Sequence, residues 1–455
     1  MSKQFSTIKT SCDQSIFQKI PNKFEIMADH LSLAKLKDIT PTDESIIQIR
    51  SWKKDYSSIF KELLSKLTMA YEIKTYILPN HLFISCKKDN KLDIEKALKL
   101  CNLDGIHDYH STAILTSNSE SKDKPLLAFI NLKSGNQTGA HLQTEFLKVL
   151  DSSQIIEISS VGPYLGLLSF RNIPNFYTYA CGGDGTASWL FSAISTLRTE
   201  NLPDFLNMKC KNPHTGIVPL GTGNDLSRHM GFGPSTSRTV TWSRMLKDLY
   251  TSTEQKLDRW TLEWTPKTAM PLKLRTPDLN NYISFGFDAD LATDFHEFRD
   301  GHSEFFNSRT MNKAFYGMFA VKQQFVADSL RGKIELYSDG NLIDIPKSTI
   351  ALVFLNIQSY YGGRNPWKGK SSSDDGKIEV IGLSLGRLYG LAFKIVNGTS
   401  IAQVDRMTIK VLKTVSAKVD GEPICQKDPC EIKISKLAIQ QNILKCPRNN
   451  QNIFL

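Results

Sequence analysis

The sequence predicts an α/β lobe followed by a mostly-β lobe, with a small α+β module in front of them. Three observations lead to this fold class. From residue 126 to about residue 250, short apolar runs alternate with amphipathic stretches, which is typical of a sheet covered by helices. Beyond residue 258, strand-like runs are joined by hairpin signals. A polar, charged segment at 117–124 separates both regions from the N-terminal module.

The length of 455 residues exceeds what one hydrophobic core normally organises, so we expect two or three domains. The composition is that of an ordinary globular protein. The predicted division is an N-terminal α+β module at 1–120, a first lobe at 121–258, a second lobe at 259–440 and a C-terminal tail at 441–455.

Charge and cysteine usage restrict the partners. The net charge of +10 favours an anionic partner such as nucleotide phosphate or an anionic membrane, although charge alone does not separate nucleic acid from lipid. The eight cysteines form no Cys-x-x-Cys pair, so we expect neither a zinc module nor a disulfide scaffold. The sequence has no apolar run of membrane-spanning length, and residues 1–10 lack the apolar stretch of a signal peptide, so we expect neither a transmembrane helix nor secretion. These features predict a cytoplasmic protein with reduced cysteines.

The N-terminal module has a recognisable secondary-structure pattern but no motif. Apolar residues at helical spacing, such as Trp52, Phe60 and Leu67, predict a helix over 43–69. The runs 73–78 and 82–86 predict two strands around a turn at 79–80, and the segment 92–101 predicts a second helix.

The second lobe is predicted to be mainly strands. We expect strands at 349–357, 377–383, 407–411 and 431–434, with hairpin turns at 339–340 and 420–421. A long helix is predicted around 311–325 from the apolar face of Met311, Phe315, Met318 and Phe325.

The strongest local signal is a glycine-rich loop between a predicted strand at 176–180 and a predicted helix at 187–197. Its residues are Gly182, Gly183, Asp184, Gly185 and Thr186. Glycines let a phosphate approach the backbone amides, and the helix after the loop offers unpaired N–H groups. Asp184 would repel a phosphate, so it is best explained as a ligand of Mg²⁺ or of water on that ion. The alternative is a tight turn with an aspartate cap.

Two further loops come after neighbouring predicted strands. The loop after 216–220 contains Gly221, Thr222, Gly223, Asn224 and Asp225, and Asp225 is a second candidate carboxylate for Mg²⁺. The loop after 126–130 contains Asn131, Lys133, Ser134 and Gly135. Each could be an ordinary turn by itself. Because ligands of open α/β sheets bind beyond the carboxyl ends of the strands, we expect the three loops to form one phosphate site. None of them is a P-loop or a dinucleotide fingerprint.

The loop at 182–186 resembles the one shared by NAD kinases, diacylglycerol kinases and sphingosine kinases. The motifs along the rest of the chain are similar to those of the diacylglycerol kinases of eukaryotes in particular, in order and with plausible spacing over roughly 124–440. The matching motifs are Leu257-Asp258-Arg259-Trp260, Gly286-Phe287-Asp288-Ala289, Asn307-Ser308-Arg309, Asn356-Ile357 with Gly362-Gly363, Asp374-Asp375-Gly376 and Val419-Asp420-Gly421-Glu422-Pro423.

The resemblance implies a two-lobed lipid kinase of the NAD kinase and diacylglycerol kinase superfamily, with an α/β nucleotide lobe and a β-sandwich-like lobe. It implies transfer of a phosphoryl group from ATP to the hydroxyl of 1,2-diacylglycerol, which gives phosphatidic acid. Asp184, Asn224, Asp225 and Asp258 would surround the catalytic Mg²⁺, and Asp374 and Asp375 would hold a structural Mg²⁺. Glu422 would be the general base, and a carboxylate suits that role because it can orient a lipid hydroxyl and accept its proton.

The resemblance stops short of regulation, since the cysteines cannot form the zinc modules of metazoan relatives. Membrane contact is expected to be peripheral because the acceptor lies in a bilayer. No nucleic acid is expected as a partner. Two alternatives stay open: a kinase for another lipid alcohol, such as ceramide, sphingosine or monoacylglycerol, and a non-catalytic lipid-binding scaffold.

Overall fold

The protein is described by a computed structural model over residues 39–50, 65, 67–68, 70–78, 81–100, 109–117, 124–135, 137–198, 202–267, 274–275, 278–301, 328–392, 395–424 and 429–447. It contains the predicted N-terminal module, an α/β lobe and a mostly-β lobe. Within these residues, no helix combines the length and the apolar character that crossing a bilayer requires. The helix predicted around 311–325 and the linker positions 118–123 lie outside the described residues.

The N-terminal module is an antiparallel four-stranded sheet of order β2-β3-β1-β4. Helical residues at 65, 67–68 and 70–71 precede β2, and a second helix separates β3 from β4, which is the connectivity of a ferredoxin-like fold. Its elements are β1 (Ile39–Arg50), β2 (Lys74–Leu78), β3 (His81–Lys87), α1 (Lys91–Leu100) and β4 (Tyr109–Ser117).

Both faces of this sheet are covered. Ile47, Ile49 and Ile84 pack with Leu67 and other residues of the module's helices. On the opposite face, side chains from β1, β3 and β4 join the core of the α/β lobe, and these include Ile46, Phe83 and Ile114. Because side chains alternate along a strand, the two central strands β1 and β3 supply apolar residues to both layers. The module is therefore packed against the first lobe.

The helix predicted over 43–69 is wrong for its first part. Residues 43–50 belong to β1, which pairs with β3 and β4 along most of its length. The β-branched residues Ile46, Ile47 and Ile49 are fully or almost fully buried in this sheet and favour a strand. The helical spacing came from apolar residues beyond residue 50. The strands at 74–78 and 81–87 and the helix at 91–100 agree with their predictions.

The first lobe contains a six-stranded sheet of order β6-β5-β7-β8-β22-β9. Strands β6, β5, β7 and β8 run parallel, and nearly every residue of β5, β7 and β8 is buried, as expected for strands with helices on both faces. The strands are β5 (Leu126–Ile130), β6 (Ile155–Glu157), β7 (Tyr177–Gly182), β8 (His214–Pro219), β9 (Thr253–Leu257) and β22 (Gln441–Lys445). The helices are α2 (Thr138–Leu147), α3 (Ile158–Val161), α4 (Pro163–Ser169), α5 (Asp184–Leu197), α6 (Asp225–His229) and α7 (Trp242–Tyr250).

Strand β22 corrects the prediction of a tail from residue 441. It is inserted between β8 and β9, and its residues Ile443 and Leu444 are buried in the core of the first lobe. The chain therefore returns to its first lobe after completing the second. The remaining domain boundaries stay predictions.

The second lobe is a sandwich of two six-stranded sheets, of order β11-β10-β21-β18-β13-β14 and β17-β16-β15-β12-β19-β20. Residues of both sheets, among them Trp260, Phe354 and Ile409, share one hydrophobic core. The strands are β10 (Trp260–Pro266), β11 (Leu274–Arg275), β12 (Tyr282–Gly286), β13 (Ile334–Ser338), β14 (Asn341–Ile343), β15 (Ala351–Leu355), β16 (Ile378–Leu383), β17 (Thr399–Val404), β18 (Arg406–Val411), β19 (Ala417–Val419), β20 (Glu422–Ile424) and β21 (Cys430–Lys436). The helices are α8 (Phe287–Gly301) and α9 (Leu385–Ala392).

The strands predicted in this lobe are confirmed as β15, β16, β18 and β21. Both hairpin predictions are confirmed too, with β13 paired to β14 and β19 paired to β20. Asp339 and Asp420 adopt the left-handed conformation at these turns, at φ of 49° each, and a glycine comes after each of them.

Candidate active site

The three glycine-containing loops leave the sheet at neighbouring positions. Strands β5, β7 and β8 are adjacent and parallel, so their carboxyl ends share one edge. Backbone hydrogen bonds join the loops where they begin. Asn131 donates its N–H to Cys181 at 2.9 Å, and Leu220 donates its N–H to Gly182 at 2.8 Å. The predicted convergence of the loops is therefore present.

Glycines allow these loops to touch. A methyl group on Gly221 would lie 2.7 Å from the Cα of Gly183 and 2.8 Å from Oδ1 of Asn224. Gly135 has a φ of +69°, and a methyl group there would lie 3.1 Å from the carbonyl oxygen of Leu220. The loop at 131–135 thus packs on Leu220, directly before the loop at 221–225, and the latter packs on the loop at 182–186 with backbone against backbone.

The loop at 131–135 is a tight turn ahead of α2. Oδ1 of Asn131 accepts the N–H of Lys133 at 3.1 Å, and the carbonyl of Ser134 accepts the N–H of Gly139 at 3.3 Å. The residue Lys133 is exposed. This arrangement leaves a basic side chain beside the junction of the three loops, where it can approach a phosphate.

Asp184 and Asp225 form a carboxylate pair at this junction. Oδ2 and Oδ1 of Asp184 accept the N–H groups of Asp225 and Leu226, each at 3.0 Å, so Asp184 caps the start of α6. A methyl group on Gly223 would lie 3.6 Å from Oδ2 of Asp225 and 3.7 Å from Oδ2 of Asp184. The two oxygens therefore border the same small space beside Gly223.

Burial and mutual repulsion act on both carboxyl groups. Burial, and after it the charge of Asp225, raises the pKa of Asp184 to about 7, and two backbone N–H groups oppose the shift. Burial also raises the pKa of Asp225, against the hydroxyl of Ser359. Like charges this close favour a shared proton at neutral pH unless a cation neutralises them.

The second lobe holds one oxygen of Asp225. Oδ1 accepts a hydrogen bond from the Ser359 hydroxyl at 2.6 Å and from the N–H groups of Gly362 and Gly363 at 3.0 Å each. The loop can aim both N–H groups because Tyr361, Gly362 and Gly363 all have positive φ. We call these three donors the Asp225 clamp. They fix the rotation of the carboxylate and leave Oδ2 beside Gly223.

The hairpin that carries Glu422 is held beside the same site by Asp420. One oxygen of Asp420 accepts the N–H groups of Asn281 and Tyr282, at 2.7 and 3.1 Å. The other accepts the backbone and side-chain N–H groups of Asn280, at 3.1 Å each. The side-chain amide of Asn280, which donates to Asp420, also donates to the hydroxyl of Ser188, about one turn after Asp184 in α5, so the hairpin lies beside the helix that begins at Asp184. The residue Glu422 is exposed, two positions after Asp420.

Arg259 connects helix α5 of the first lobe to the second lobe. Its fully buried guanidinium donates to the carbonyl of Phe191 in α5 at 2.9 Å, to Oδ1 of Asn280 at 2.8 Å and to Asp278 at 3.0 Å. Asn280 in turn donates to the hydroxyl of Ser188 in α5 at 2.8 Å. These contacts fix the Asp420 hairpin relative to the helix that begins at Asp184.

Asp258, Asp374 and Asp375 belong to a different group of residues. Oδ2 of the fully buried Asp258 accepts the N–H of Gly376 at 2.6 Å, and Oδ1 accepts from Gln440 at 2.9 Å and lies 3.4 Å from Nζ of Lys436. Asp374 and Asp375 are exposed in the turn before Gly376. The contacts of Asp258 thus join the lobes through this turn, and none of them involves Asp184 or Asp225.

The donor set fits Mg²⁺ at the carboxylate pair better than at Asp258. Among the residues that the structure describes, no three histidine, cysteine or acidic side chains form a metal-binding group. Mg²⁺ usually takes one or two carboxylates and completes its shell with water and phosphate oxygens, which the pair at Asp184 and Asp225 allows. Oδ1 of Asn224 is a buried oxygen that accepts no hydrogen bond in the described part of the chain. Oδ1 of Asp258, in contrast, lies 3.4 Å from Nζ of Lys436, and this positive charge disfavours a metal cation at that oxygen.

A cavity of about 270 Å³ opens between β7, β8 and α7. Tyr179, Val218, Phe232 and Met245 line it, together with the hydroxyl-rich segment 235–239. Its lining includes none of the residues 182–186 or 221–225. The cavity is therefore separate from the carboxylate pair.

Several residues of the site were not predicted from the sequence. The sequence gives no signal for Ser359, and it offers Gly362-Gly363 only as a motif of the family resemblance, without a role. The pair Asp420-Gly421 predicts a hairpin turn, but the structure gives the carboxylate of Asp420 four N–H donors as well. The consecutive glycines were the one available signal, since such pairs often expose backbone N–H groups to an anion.

Comparison with known proteins decides the family. Residues 125–253 match the profile of the diacylglycerol kinase catalytic domain, and residues 278–423 match the diacylglycerol kinase accessory domain. The chain belongs to the diacylglycerol kinase family. The two matched segments correspond to the α/β lobe with its three loops and to the mostly-β lobe with the clamp and the Glu422 hairpin, so the predicted family and fold class are confirmed.

The relatives are considerably longer than this chain. The eye-specific diacylglycerol kinase of Drosophila melanogaster is 36% identical over 69% of this chain and 22% of its own length. Human diacylglycerol kinase iota is 34% identical over 71% of this chain and 31% of its own length. The chain thus spans between about a fifth and a third of these relatives. A crystal structure of a diacylglycerol kinase from Bacillus anthracis is 14% identical and aligns over 72% of this chain and 99% of its own, with a TM-score of 0.45.

Proposed function

We propose that this diacylglycerol kinase family member transfers the γ-phosphoryl group of ATP to the free hydroxyl of 1,2-diacylglycerol and forms phosphatidic acid. The observation that supports this most is the meeting of three glycine-containing loops and a carboxylate pair at a junction where the second lobe contributes the Asp225 clamp and, through Asn280, the hairpin of Asp420 and Glu422. Phosphoryl transfer depends mainly on positioning and on charge stabilisation, and this junction offers both.

ATP would bind with its phosphates over the three loops. Backbone N–H groups of 182–186 and 221–224, together with Lys133, would face the phosphate oxygens, and the glycines would permit their close approach. Asp184 and Oδ2 of Asp225 would hold Mg²⁺, with water or Asn224 beside them. When bound, this ion neutralises phosphate charge and orients the γ-phosphoryl group.

Glu422 would act as the general base. A lipid hydroxyl has a high pKa and attacks poorly, so a carboxylate within hydrogen-bond reach can orient it and accept its proton as the phosphoryl group transfers. Asp420 would be a positioning residue, because its four N–H donors fix the hairpin from which Glu422 projects. The Asp225 clamp would assist by closing the second lobe on the nucleotide lobe.

We also propose roles for three further aspartates, Asp258, Asp374 and Asp375, with less support. By resemblance alone, the turn at 374–375 would hold a structural Mg²⁺. Asp258 is already bonded to Gly376, Gln440 and Lys436, which supports a structural role at the lobe junction. We also propose that the protein works in the cytoplasm and contacts a membrane peripherally, since its acceptor lies in a bilayer.

The test is a panel of lipid alcohols with γ-labelled ATP and Mg²⁺. Diacylglycerol, monoacylglycerol, ceramide and sphingosine are offered in the same mixed micelles, and Asp184→Asn serves as the control for contaminating kinases. We expect diacylglycerol to be phosphorylated fastest and the variant to be inactive. Faster turnover of ceramide or sphingosine would reassign the acceptor, and no transfer to any lipid would favour the scaffold alternative.

A further inference from the structure

An apolar tip in the second lobe is unusually exposed. Ile395 has 74% of its surface exposed, more than any other large apolar residue in the described part of the chain, and its neighbour Val396 has 38%. Both lie between helix α9 and strand β17. Exposure of aliphatic side chains to water is unfavourable, so a cluster of them on the surface often marks a binding site.

The tip is held in place by hydrogen bonds. The N–H of Ile395 donates to the carbonyl of Gly390 at 2.7 Å. The guanidinium of Arg387 donates to the carbonyl of Asn397 at 2.7 Å, and the N–H of Gly398 donates to Pro366 at 2.9 Å. A fixed backbone thus presents Ile395 to solvent, while the partly exposed Val396 packs against Gly390 of α9.

The two chain segments around the tip carry basic residues and no acidic ones. Neither 359–373 nor 384–398 contains an aspartate or a glutamate. Lys368, Lys370 and Arg387 are exposed in these two segments, and the N–H of Lys368 donates to Ser400, just beyond the second of them, at 3.1 Å. Trp367, a residue type that favours membrane interfaces, lies half-buried beside Lys368.

Another exposed apolar residue lacks this setting. Leu342 has 64% of its surface exposed, but it lies on a hairpin between Asp339 and Asp344, which form ion pairs with Arg406 and Arg331. These pairs neutralise the charges beside Leu342, so an anionic surface would attract that hairpin less than it attracts the tip. The combination of aliphatic, aromatic and basic side chains without acids is complementary to an anionic membrane.

The tip is also connected to the active site. The segment that contacts it at Pro366 begins with the Asp225 clamp, and Pro366 lies shortly after Gly363 in the chain. A membrane into which the tip inserts would therefore lie near the lobe junction, where the diacylglycerol must bind.

We propose that Trp367, Lys368, Lys370, Arg387, Ile395 and Val396 form a docking surface that inserts its aliphatic tip into an anionic membrane. The proposal rests on the proposed function, because the acceptor of that reaction is a membrane lipid. Insertion transfers Ile395 and Val396 from water to the acyl boundary, while the three basic residues remain at the level of the anionic headgroups.

The test measures binding of the full chain to sucrose-loaded vesicles of phosphatidylcholine alone or with phosphatidylserine. We expect Ile395→Asp to reduce the partition to phosphatidylserine vesicles about tenfold, since burial of an isoleucine is lost and a negative charge is added. The double variant Lys368→Glu, Lys370→Glu should bind phosphatidylserine vesicles about tenfold more weakly, or less still. Added salt at about 0.5 M should abolish most of the wild type's preference for phosphatidylserine vesicles over phosphatidylcholine vesicles. Leu342→Asp is the matched control and should bind like the wild type.

Activity on a short-chain diacylglycerol presented as monomers separates the two proposals. If the wild type is inactive on this substrate, the proposed function fails whatever the vesicles show. If both docking variants keep wild-type activity on monomers and lose vesicle binding, the docking surface is supported. Vesicle binding within twofold of the wild type in either variant, or an equal loss in Leu342→Asp, would overturn it.

Discussion

Replacing Ser359 by alanine removes the one side-chain donor of the Asp225 clamp. The hydroxyl lies 2.6 Å from Oδ1 of a buried carboxylate, and a hydrogen bond to a charged group contributes about 1.5–3 kcal/mol. Two backbone N–H groups remain at 3.0 Å, so we take the lower end of this range. About 1.5 kcal/mol corresponds to roughly a tenfold loss in kcat/KM for Mg-ATP.

The loss should depend on pH. The hydroxyl opposes the raised pKa of Asp225, so its removal raises that pKa further and delays formation of the carboxylate. Activity of Ser359→Ala should therefore fall more at pH 6 than at pH 9, relative to the wild type. Initial rates at saturating diacylglycerol, with Mg-ATP varied between pH 6 and pH 9, measure both effects.

Ser359→Thr is the matched control, because it retains the hydroxyl and should keep most of the activity. Thermal unfolding of both variants distinguishes a local effect from a loss of folding. Rates of Ser359→Ala within twofold of the wild type at every pH would refute the role given to the clamp.

The lobe junction leads to three further predictions. Gly221→Ala places a methyl group 2.7 Å from the Cα of Gly183, so the KM for ATP should rise at least tenfold in steady-state assays. An unchanged KM would show that the two loops are not held backbone to backbone. Because the pKa of Asp184 is raised to about 7, its carboxylate forms as the pH rises through that value. The affinity for Mg-ATP, measured by calorimetry, should therefore increase between pH 6 and pH 8, and binding should release protons. An affinity that does not change with pH would contradict the raised pKa. Arg259→Met removes a buried guanidinium that bonds to Asp278, Asn280 and the carbonyl of Phe191, and it should lower the free energy of unfolding by about 3–5 kcal/mol in urea titrations. A change below about 1 kcal/mol would contradict the role of Arg259 in joining the lobes.

The loops were predictable because their chemistry is local. The glycines, Asp184 and Asp225 come directly after apolar strands in the sequence, and parallel strands bring their carboxyl ends to one edge. Alternation of strands and helices predicted the first lobe, and hairpin signals predicted much of the second. These features need no knowledge of distant contacts.

The features that were missed depend on distant contacts. Strand β22 is five residues long and pairs with strands about 190 to 230 positions earlier, so nothing in its own sequence distinguished it from a tail. Strand β1 was missed because an amphipathic pattern begins after it. Ser359 acts on Asp225 across 134 positions, and only the folded chain brings the two together.

The most direct test of the proposed reaction measures two quantities for Glu422→Gln and for the wild type: the rate of phosphatidic acid formation and the affinity for Mg-ATP. The substitution keeps the shape of the side chain and removes its ability to accept a proton. We predict a loss of about 10²- to 10⁴-fold in kcat, with Mg-ATP affinity within about threefold of the wild type because the three loops are untouched. Wild-type turnover in this variant would contradict the assignment of Glu422 as the base, and an equal loss in nucleotide affinity would show that it acts on ATP instead.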